Sequence, residues 1–150
     1  MTRIATIRTF EIRDLPGVLR IERECFQQDA WPREAFLEYA RTVPNLFLVA
    51  GPEGSGYAGY TIARLTRHGG EITSLAVRRS YRKKGVATAL LRAAIRKLRR
   101  AGVKAVWLTT RRENAAAIQL YQKLGFVRTR TVPNYYRNRS PGWRMRLRLG

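Results

Sequence analysis

Residues 82–88 form a short basic segment, Arg-Lys-Lys-Gly-Val-Ala-Thr, whose composition is typical of an anion-binding turn. An apolar run at residues 72–77 precedes it and predicts a strand, and residues 86–101 have the spacing of an amphipathic helix. At such a helix start, unpaired backbone N–H groups and the positive end of the helix dipole converge. Gly85 lets the backbone approach a ligand closely. The segment therefore predicts a site for an anion.

Asn114 and Tyr121 lie seven positions apart, which places both side chains on nearly the same face of one helix. Asn114 can cap the start of that helix. Leu120 and Leu124 are the helical neighbours of Tyr121, so one interpretation makes it a core aromatic residue. The functional interpretation requires its hydroxyl to point into a cleft. The residues alone leave both interpretations open.

Hydrophobic periodicity and turn residues predict the elements that position these groups. Asp14 is expected to cap the first helix, and Gly125 to end the last one in a left-handed conformation. A strand, helix and strand over residues 71–110 predict a parallel crossover in an otherwise mostly antiparallel sheet. The fold class is therefore α/β, a single domain over residues 1–150 with about seven strands and about four helices. Strands are predicted at residues 4–10, 46–50, 57–65, 71–77, 105–110, 126–132 and 143–149, and helices at 15–26, 33–42, 86–101 and 114–124.

The net charge of +20 is concentrated in the C-terminal half, where Glu71 and Glu113 are the only acids after Glu53. Such a field attracts polyanions and favours association with nucleic acid, ribosomes or phosphorylated cofactors. The alternative interpretation is solubility, with arginine and lysine simply coating helix faces. The sign of the charge does not choose between them.

Cys25 is the one cysteine, which excludes an intrachain disulfide and a multi-cysteine metal cage, and no metal is expected. No window approaches the roughly 18–20 uninterrupted apolar residues of a membrane helix. The N-terminus lacks the charged-then-apolar plan of a signal peptide. We therefore expect a soluble, cytoplasmic protein with no membrane partner.

Several separated motifs agree in order and spacing with one enzyme family. They are Ile72-Thr-Ser-Leu-Ala-Val77, Arg82-x-x-Gly-x-Ala87, Asn114-Ala-Ala-Ala-Ile-Gln-Leu-Tyr121 with Leu124-Gly-Phe126, and Asn134-Tyr-Tyr136. The chain resembles the GNAT-superfamily acetyltransferases, and within them the N-terminal (Nα) acetyltransferases of the ribosomal-protein-alanine and archaeal types. The combination is far more specific than any one motif. The resemblance implies direct transfer of an acetyl group from acetyl-CoA to the N-terminal α-amino group of a protein or peptide, in a ternary complex.

The resemblance also implies that the basic turn binds the pyrophosphate of acetyl-CoA. Backbone groups of Leu75 and Val77 would pair with the acetyl and pantetheine amides, and Asn114 would contact the cofactor arm. In this family the strand before the turn is splayed from its neighbour, and a bulge there is the corresponding structural sign. The predicted cofactor-binding residues are Leu75, Ala76, Val77, Arg82, Lys83, Lys84, Gly85, Val86, Ala87, Thr88, Asn114 and Tyr121.

By the same resemblance Tyr121 is the general acid that protonates the leaving CoA thiolate. The bacterial ribosomal-protein enzymes carry a glutamate, proposed as proton acceptor, on the strand before Asn114, but Thr109 occupies that position here. Glu71 is the best replacement, acting through ordered water, and the alternative is a carboxylate that neutralises nearby arginines. A weak base can suffice because an α-amino group has a pKa of about 7.7–8.0.

The resemblance places Trp31, Tyr135 and Tyr136 in the loops that flank the acceptor peptide, although each can equally anchor its loop in the core. The family often has acidic residues after the tyrosine pair, whereas Arg137 and Arg139 follow it here, which hints at acidic or RNA-associated partners. Two other functions stay open. One is acetylation of a protein lysine or a small amine, and the other is a basic RNA- or ribosome-docking module with vestigial cofactor binding.

Overall fold

The computed structural model describes residues 6–52 and 56–150. Within them it has the seven strands and four α-helices that the sequence predicts. Residues 4 and 5 of the first predicted strand lie outside the described residues, as do residues 53–55 of the first predicted hairpin turn. None of the four described helices combines the length and the apolar composition that a bilayer crossing requires. The elements are β1 (Ile7–Thr9), α1 (Leu15–Phe26), α2 (Arg33–Thr42), β2 (Phe47–Ala50), β3 (Gly59–Thr66), β4 (Gly69–Val77), α3 (Val86–Arg100), β5 (Ala105–Arg111), α4 (Ala115–Lys123), β6 (Val127–Val132) and β7 (Gly142–Arg148).

The seven strands form one mixed sheet in the order β1-β2-β3-β4-β5-β7-β6. Every neighbouring pair is antiparallel except β4 and β5, which run parallel and are connected through α3. The predicted fold class, with its central parallel crossover, is confirmed. The crossover places the end of β4 close to the start of α3, where the basic turn lies.

β4 and β5 separate soon after they meet. They pair at two positions, Gly70 with Val106 and Glu71 with Trp107, although both strands continue well beyond these residues. A bulge at Thr73 accompanies the separation, since the register between β3 and β4 shifts there. The splay that the family resemblance implies is therefore present, and the bulge lies just before the segment for which it is expected.

Helices cover the two faces of the sheet unequally. On one face α3 and α4 pack along the sheet, with Leu90 and Leu98 fully buried. On the other face α1 and α2 bury Val18 and Phe36 against β2, β3 and β4. Full burial of one such side chain stabilises the fold by roughly 1.5–3 kcal/mol. The hydrophobic cluster under α1 and α2 contains no described residue of β5, β6 or β7, so this layer ends at β4.

Asp14 stands at the start of α1, but its carboxylate does not cap the helix as predicted. It is fully buried and accepts hydrogen bonds from the Arg8 guanidinium at 2.9 and 2.7 Å, from the Glu11 backbone N–H at 2.7 Å and from the Tyr57 hydroxyl. Burial alone would raise the pKa of Asp14, but these hydrogen bonds outweigh it and hold the pKa below its ordinary value. The prediction was wrong because a guanidinium within reach is a stronger partner than a helix N–H.

Arg8→Met should lower the free energy of unfolding by about 3 kcal/mol, because it leaves the buried Asp14 carboxylate without its ionic partner. Folding lowers the pKa of Asp14, so this stabilisation is present above the unfolded value of 3.8 and is lost as the pH falls below it. Urea unfolding near neutrality and at about pH 2–3 should show the difference shrinking in acid. Arg13→Met, at an exposed arginine paired with Glu11, is the control. An equal loss at both pH values would contradict the ionic explanation.

Candidate active site

The turn between β4 and α3 presents an unsatisfied helix start. Gly85 is the N-cap residue of α3 with φ 81°, and Lys83 before it has φ 63°. Both angles lie in the left-handed region, which glycine adopts without a steric penalty. The first backbone N–H groups of α3, those of Val86, Ala87 and Thr88, have no intrahelical partner. No described side chain caps this helix start. These groups and the helix dipole together form a site suited to an anion.

A cavity of about 720 Å³ opens beside this turn, between the separated end of β4 and α4. Every predicted cofactor-binding residue except Lys84 lines it, and Lys84 Nζ lies 5.8 Å from the centre of the Tyr81 ring. The residues present fit acetyl-CoA, since open N–H groups face one end of the cavity and the free edge of a strand runs along it. The predicted residues that line it are Leu75, Ala76, Val77, Arg82, Lys83, Gly85, Val86, Ala87, Thr88, Asn114 and Tyr121.

The Arg82 side chain contacts the end of β4. Its Nε donates to the Val77 carbonyl at 3.0 Å, and its Nη2 lies 3.5 Å from the Cys25 sulfur. The Cys25 thiol also donates to the Val77 carbonyl at 3.4 Å, and burial raises the pKa of this thiol. The guanidinium therefore braces the strand end, while Cys25 remains a protonated wall residue of the cavity.

A second cavity, of about 350 Å³, adjoins the first. The two cavities share Asn114 and Tyr121 among their lining residues, so they meet there, and together they are called the groove below. Trp31, Tyr135 and Tyr136, which the sequence predicts to flank an acceptor peptide, all line the second cavity. The groove thus has one end beside the helix start and another end walled by aromatic residues from two loops.

Tyr121 lies where the two cavities meet. Its side chain is 8% exposed and packs edge-on against Phe126, with ring centres 6.0 Å apart. Burial, with a smaller contribution from Tyr136, raises the pKa of Tyr121 to about 12, so its hydroxyl stays protonated at neutral pH. Tyr121 is therefore both a core aromatic residue and a cavity residue. Asn114 caps the same helix by accepting the Ala117 backbone N–H at 3.2 Å.

Two arginines link the loops on either side of the second cavity. The Arg111 guanidinium carbon lies 3.9 Å from the centre of the Tyr136 ring, and its Nη2 lies 3.5 Å from the Asp29 carboxylate. Arg137 Nη1 reaches the Gln28 carbonyl at 3.5 Å. The loop after α1 and the loop between β6 and β7 are thereby held together across the cavity.

Glu71, the predicted general base, is held by two arginines. Arg64 Nε donates to it at 2.8 Å and Arg144 Nη1 at 3.1 Å, and Arg144 Nη1 also donates to the Thr109 hydroxyl at 3.1 Å. Glu71 is not among the described residues that line either cavity. This geometry matches the alternative interpretation, a carboxylate that neutralises arginines. A base role acting through water stays a prediction.

Glu22 is a carboxylate of the second cavity that the sequence analysis does not single out. It is 2% exposed and accepts hydrogen bonds from the Trp31 backbone N–H at 2.8 Å and from the Tyr60 hydroxyl, which lies 2.8 Å from the Ser74 hydroxyl. Burial raises the pKa of Glu22 despite these hydrogen bonds. The sequence feature that could have identified Glu22 is an acidic residue within the apolar stripe of α1. Among the described residues, no group of three or more histidine, cysteine, aspartate or glutamate side chains is arranged to hold a metal ion.

Comparison with known protein families matches residues 15–126 to the acetyltransferase (GNAT) family. The chain belongs to the GNAT acetyltransferase family. This confirms the resemblance seen in the sequence motifs and the enzyme class that it implies, an acetyl-CoA-dependent N-acetyltransferase.

Individual relatives of this GNAT enzyme include two curated proteins and one solved structure. The N-alpha-acetyltransferase of Sulfurisphaera tokodaii is 29% identical over 143 residues, which cover 87% of this chain and 84% of that protein. The ribosomal protein bS18-alanine N-acetyltransferase of Escherichia coli is 31% identical over 132 residues, covering 87% and 86%. The crystal structure of Ard1 from Thermoplasma volcanium superimposes with a TM-score of 0.89 at 30% identity, covering 97% of this chain and 98% of that chain.

Gly85→Ala should weaken CoA binding by about tenfold, because a Cβ in the left-handed region strains the turn by about 1–2 kcal/mol and displaces its N–H groups. Gly102→Ala is the matched control. Gly102 follows α3 with φ 90° and open space around it, so the variant carries similar strain away from the cavity. Both variants should lose similar thermal stability, and only Gly85→Ala should lose affinity in calorimetric titration with CoA. Unchanged affinity in Gly85→Ala would contradict the role of the turn.

Proposed function

We propose that this enzyme transfers an acetyl group from acetyl-CoA to the N-terminal α-amino group of a protein or peptide. The observation that carries the proposal is the groove of two adjoining cavities, with a helix start suited to an anion at one end and two aromatic-walled loops at the other. A donor and an acceptor that enter from the two ends come together at Tyr121. Transfer between them then needs no covalent enzyme intermediate.

The donor is held chiefly by backbone groups. The N–H groups of Val86, Ala87 and Thr88 bind the pyrophosphate, and the separated end of β4 offers its edge to the pantetheine amides. Acetyl-CoA supplies the activated thioester. The unprotonated amine nitrogen attacks the thioester carbon, and backbone donors of β4 steady the charge that develops on the thioester oxygen. Tyr121 donates a proton to the sulfur as the carbon–sulfur bond breaks, and the proton that the amine nitrogen loses restores the tyrosine hydroxyl by way of solvent.

The linked loops favour a chain end as acceptor. An acceptor lysine is followed by polypeptide on both sides, so the acceptor chain must leave the site in two directions. An N-terminal residue is followed by polypeptide on one side only. The contacts of Arg111 with Asp29 and of Arg137 with Gln28 hold the two loops together beside the second cavity, and we expect this link to hinder a second departing strand. An α-amino group, with a pKa of about 7.7–8.0 against about 10.4 for lysine, is also more often unprotonated near neutral pH. The names of the S. tokodaii and E. coli relatives agree with this choice.

Short peptides with one internal lysine, prepared with free or blocked N-termini, test the acceptor. We expect acetylation only of the peptides with free N-termini, and mass spectrometry should locate the acetyl group on the first residue. A small polyamine serves as the third acceptor. Equal transfer to blocked peptides would identify lysine as the acceptor, and preferential transfer to the polyamine would identify a small amine.

Tyr121→Phe should lower kcat by about 10²–10⁴-fold, because it removes the hydroxyl that protonates the leaving sulfur. Its ring still fills the same buried space beside Phe126, so affinity for CoA and thermal stability should stay near those of the parent enzyme. Steady-state acetylation assays and calorimetric CoA titration measure the two effects separately. A kcat within a few-fold of the parent value would remove the general-acid role.

The pH dependence should show one rising limb. The acceptor α-amino group must be unprotonated, so kcat/KM should rise up to about pH 8 and then level off. The pKa of Tyr121 is raised to about 12, so its hydroxyl remains a proton donor at every pH below that value. Assays on a free-N-terminus peptide between about pH 6 and pH 10 should therefore show no falling limb. A fall within this range that Tyr121→Phe abolishes would contradict the assignment of a high pKa to this tyrosine.

A further inference from the structure

The C-terminal half of the sheet carries a dense group of arginines on one face. Arg144, Arg146 and Arg148 alternate along β7, and Arg130 of β6 lies opposite Arg144. Trp107 of β5 lies opposite Arg146, with the guanidinium carbons of Arg144 and Arg146 at 5.2 and 5.5 Å from its ring. These five residues are called the arginine face below.

The arginine face is open in the part of the chain that the structure describes. The hydrophobic cluster beneath α1 and α2, which covers the same face of the sheet, takes residues from β2, β3 and β4 and none from β5, β6 or β7. Arg130 and Arg148 are exposed, and Trp107, Arg144 and Arg146 are half-buried against one another. No described helix packs its apolar side here.

Within residues 6–52 and 56–150, the charge of this face is neutralised at Arg144 alone, which pairs with Glu71. Glu71 at its border is already engaged by Arg64 and Arg144. Among the described residues, neither Arg130, Arg146 nor Arg148 has an acidic partner, and the buried Nε of Arg146 has no hydrogen-bond acceptor. Arg130 lies directly opposite Arg144, and opposed like charges destabilise a sheet, while Glu71 compensates Arg144 alone.

We propose that the arginine face binds single-stranded RNA. Guanidinium groups pair with phosphate oxygens in bidentate fashion, and both an indole ring and a guanidinium plane stack on unpaired bases. An open sheet face with an aromatic residue among cations is a platform of the kind that single strands occupy. A peptide, in contrast, binds along a strand edge or in a groove with side-chain pockets, whereas the arginine face presents its side chains from the flat of the sheet across β5, β7 and β6.

The RNA site is separate from the acetyl-transfer groove and borders it. Arg144, which belongs to the face, donates to Thr109, and Thr109 lines the second cavity. RNA held on the face would therefore bring an RNA-associated acceptor polypeptide to the open end of the groove. This assigns a use to part of the +20 charge that a single CoA does not need.

Two charge-matched variants locate the RNA site. The first combines Arg130→Gln, Arg146→Gln and Arg148→Gln. The second combines Arg92→Gln, Arg96→Gln and Arg99→Gln, which removes the same charge from the exposed side of α3 on the other face of the sheet. Binding of a short fluorescent single-stranded RNA is followed by anisotropy at about 0.15 M salt and over a salt series. Acetylation of a short neutral peptide by both variants, at the parent rate, shows that each is folded.

We expect the arginine-face variant to bind RNA at least tenfold more weakly and to flatten the slope of log affinity against log salt by about 2, as for the loss of three phosphate contacts. The α3 variant should lose less than about threefold. Tryptophan fluorescence should be quenched by RNA in the parent and in Trp143→Phe, and the quenching should disappear in Trp107→Phe.

Three results would overturn the proposal. Equal losses of RNA affinity in the two charge variants would mean that RNA binding depends only on the overall charge of the protein. If the parent enzyme binds polyglutamate more tightly than RNA, and the arginine-face variant loses polyglutamate binding, the partner is an acidic polypeptide. No RNA binding by the parent enzyme at about 0.15 M salt would leave the face without this ligand.

Discussion

The separation of β4 from β5 is the constraint on which the rest of the structure depends. A strand inside a sheet normally satisfies its backbone groups on both sides, and a buried N–H or C=O without a partner costs about 1–3 kcal/mol. The end of β4 pairs with β3 alone, so its other edge must face solvent or a ligand. The bulge at Thr73 and the contacts of Arg144 with Glu71 and Thr109 hold the strands where they part. The groove is therefore built into the sheet itself.

The unequal helical cover of the sheet follows from the same division. Beyond β4 the layer formed by α1 and α2 stops, and the loop that joins these helices carries Trp31 to the rim of the opened sheet. The buried Glu22 carboxylate holds this loop by accepting the Trp31 N–H. Next to this loop, β5, β7 and β6 carry the arginine face. The end of the α1–α2 layer at β4 thus separates the aromatic rim of the second cavity from the arginine face.

Local sequence patterns were sufficient for the elements, and the family resemblance supplied most of the lining of the first cavity. Gly85 and Asn114 are recognisable because their conformational roles depend on near neighbours in the chain. Partners that are distant in sequence were not predictable, since Glu71 pairs with Arg144 from a strand 73 residues later. Glu22 was missed for a related reason. An acid on an apolar stripe has the same pattern whether it is exposed or buried, and the hydroxyl that satisfies it comes from 38 residues away.

Arg82 gives the groove a property that its motif does not reveal. Its Nε already donates to the Val77 carbonyl, so a ligand amide that reaches this oxygen replaces a charge-assisted hydrogen bond by a weaker neutral one. That replacement adds little net free energy, and affinity must then come from the anion site and from apolar contact. On the proposed function, the displaced guanidinium would lie near the pyrophosphate bound at the start of α3. On the proposed function, ligand binding would therefore exchange the hydrogen-bond partners of one arginine at the end of β4.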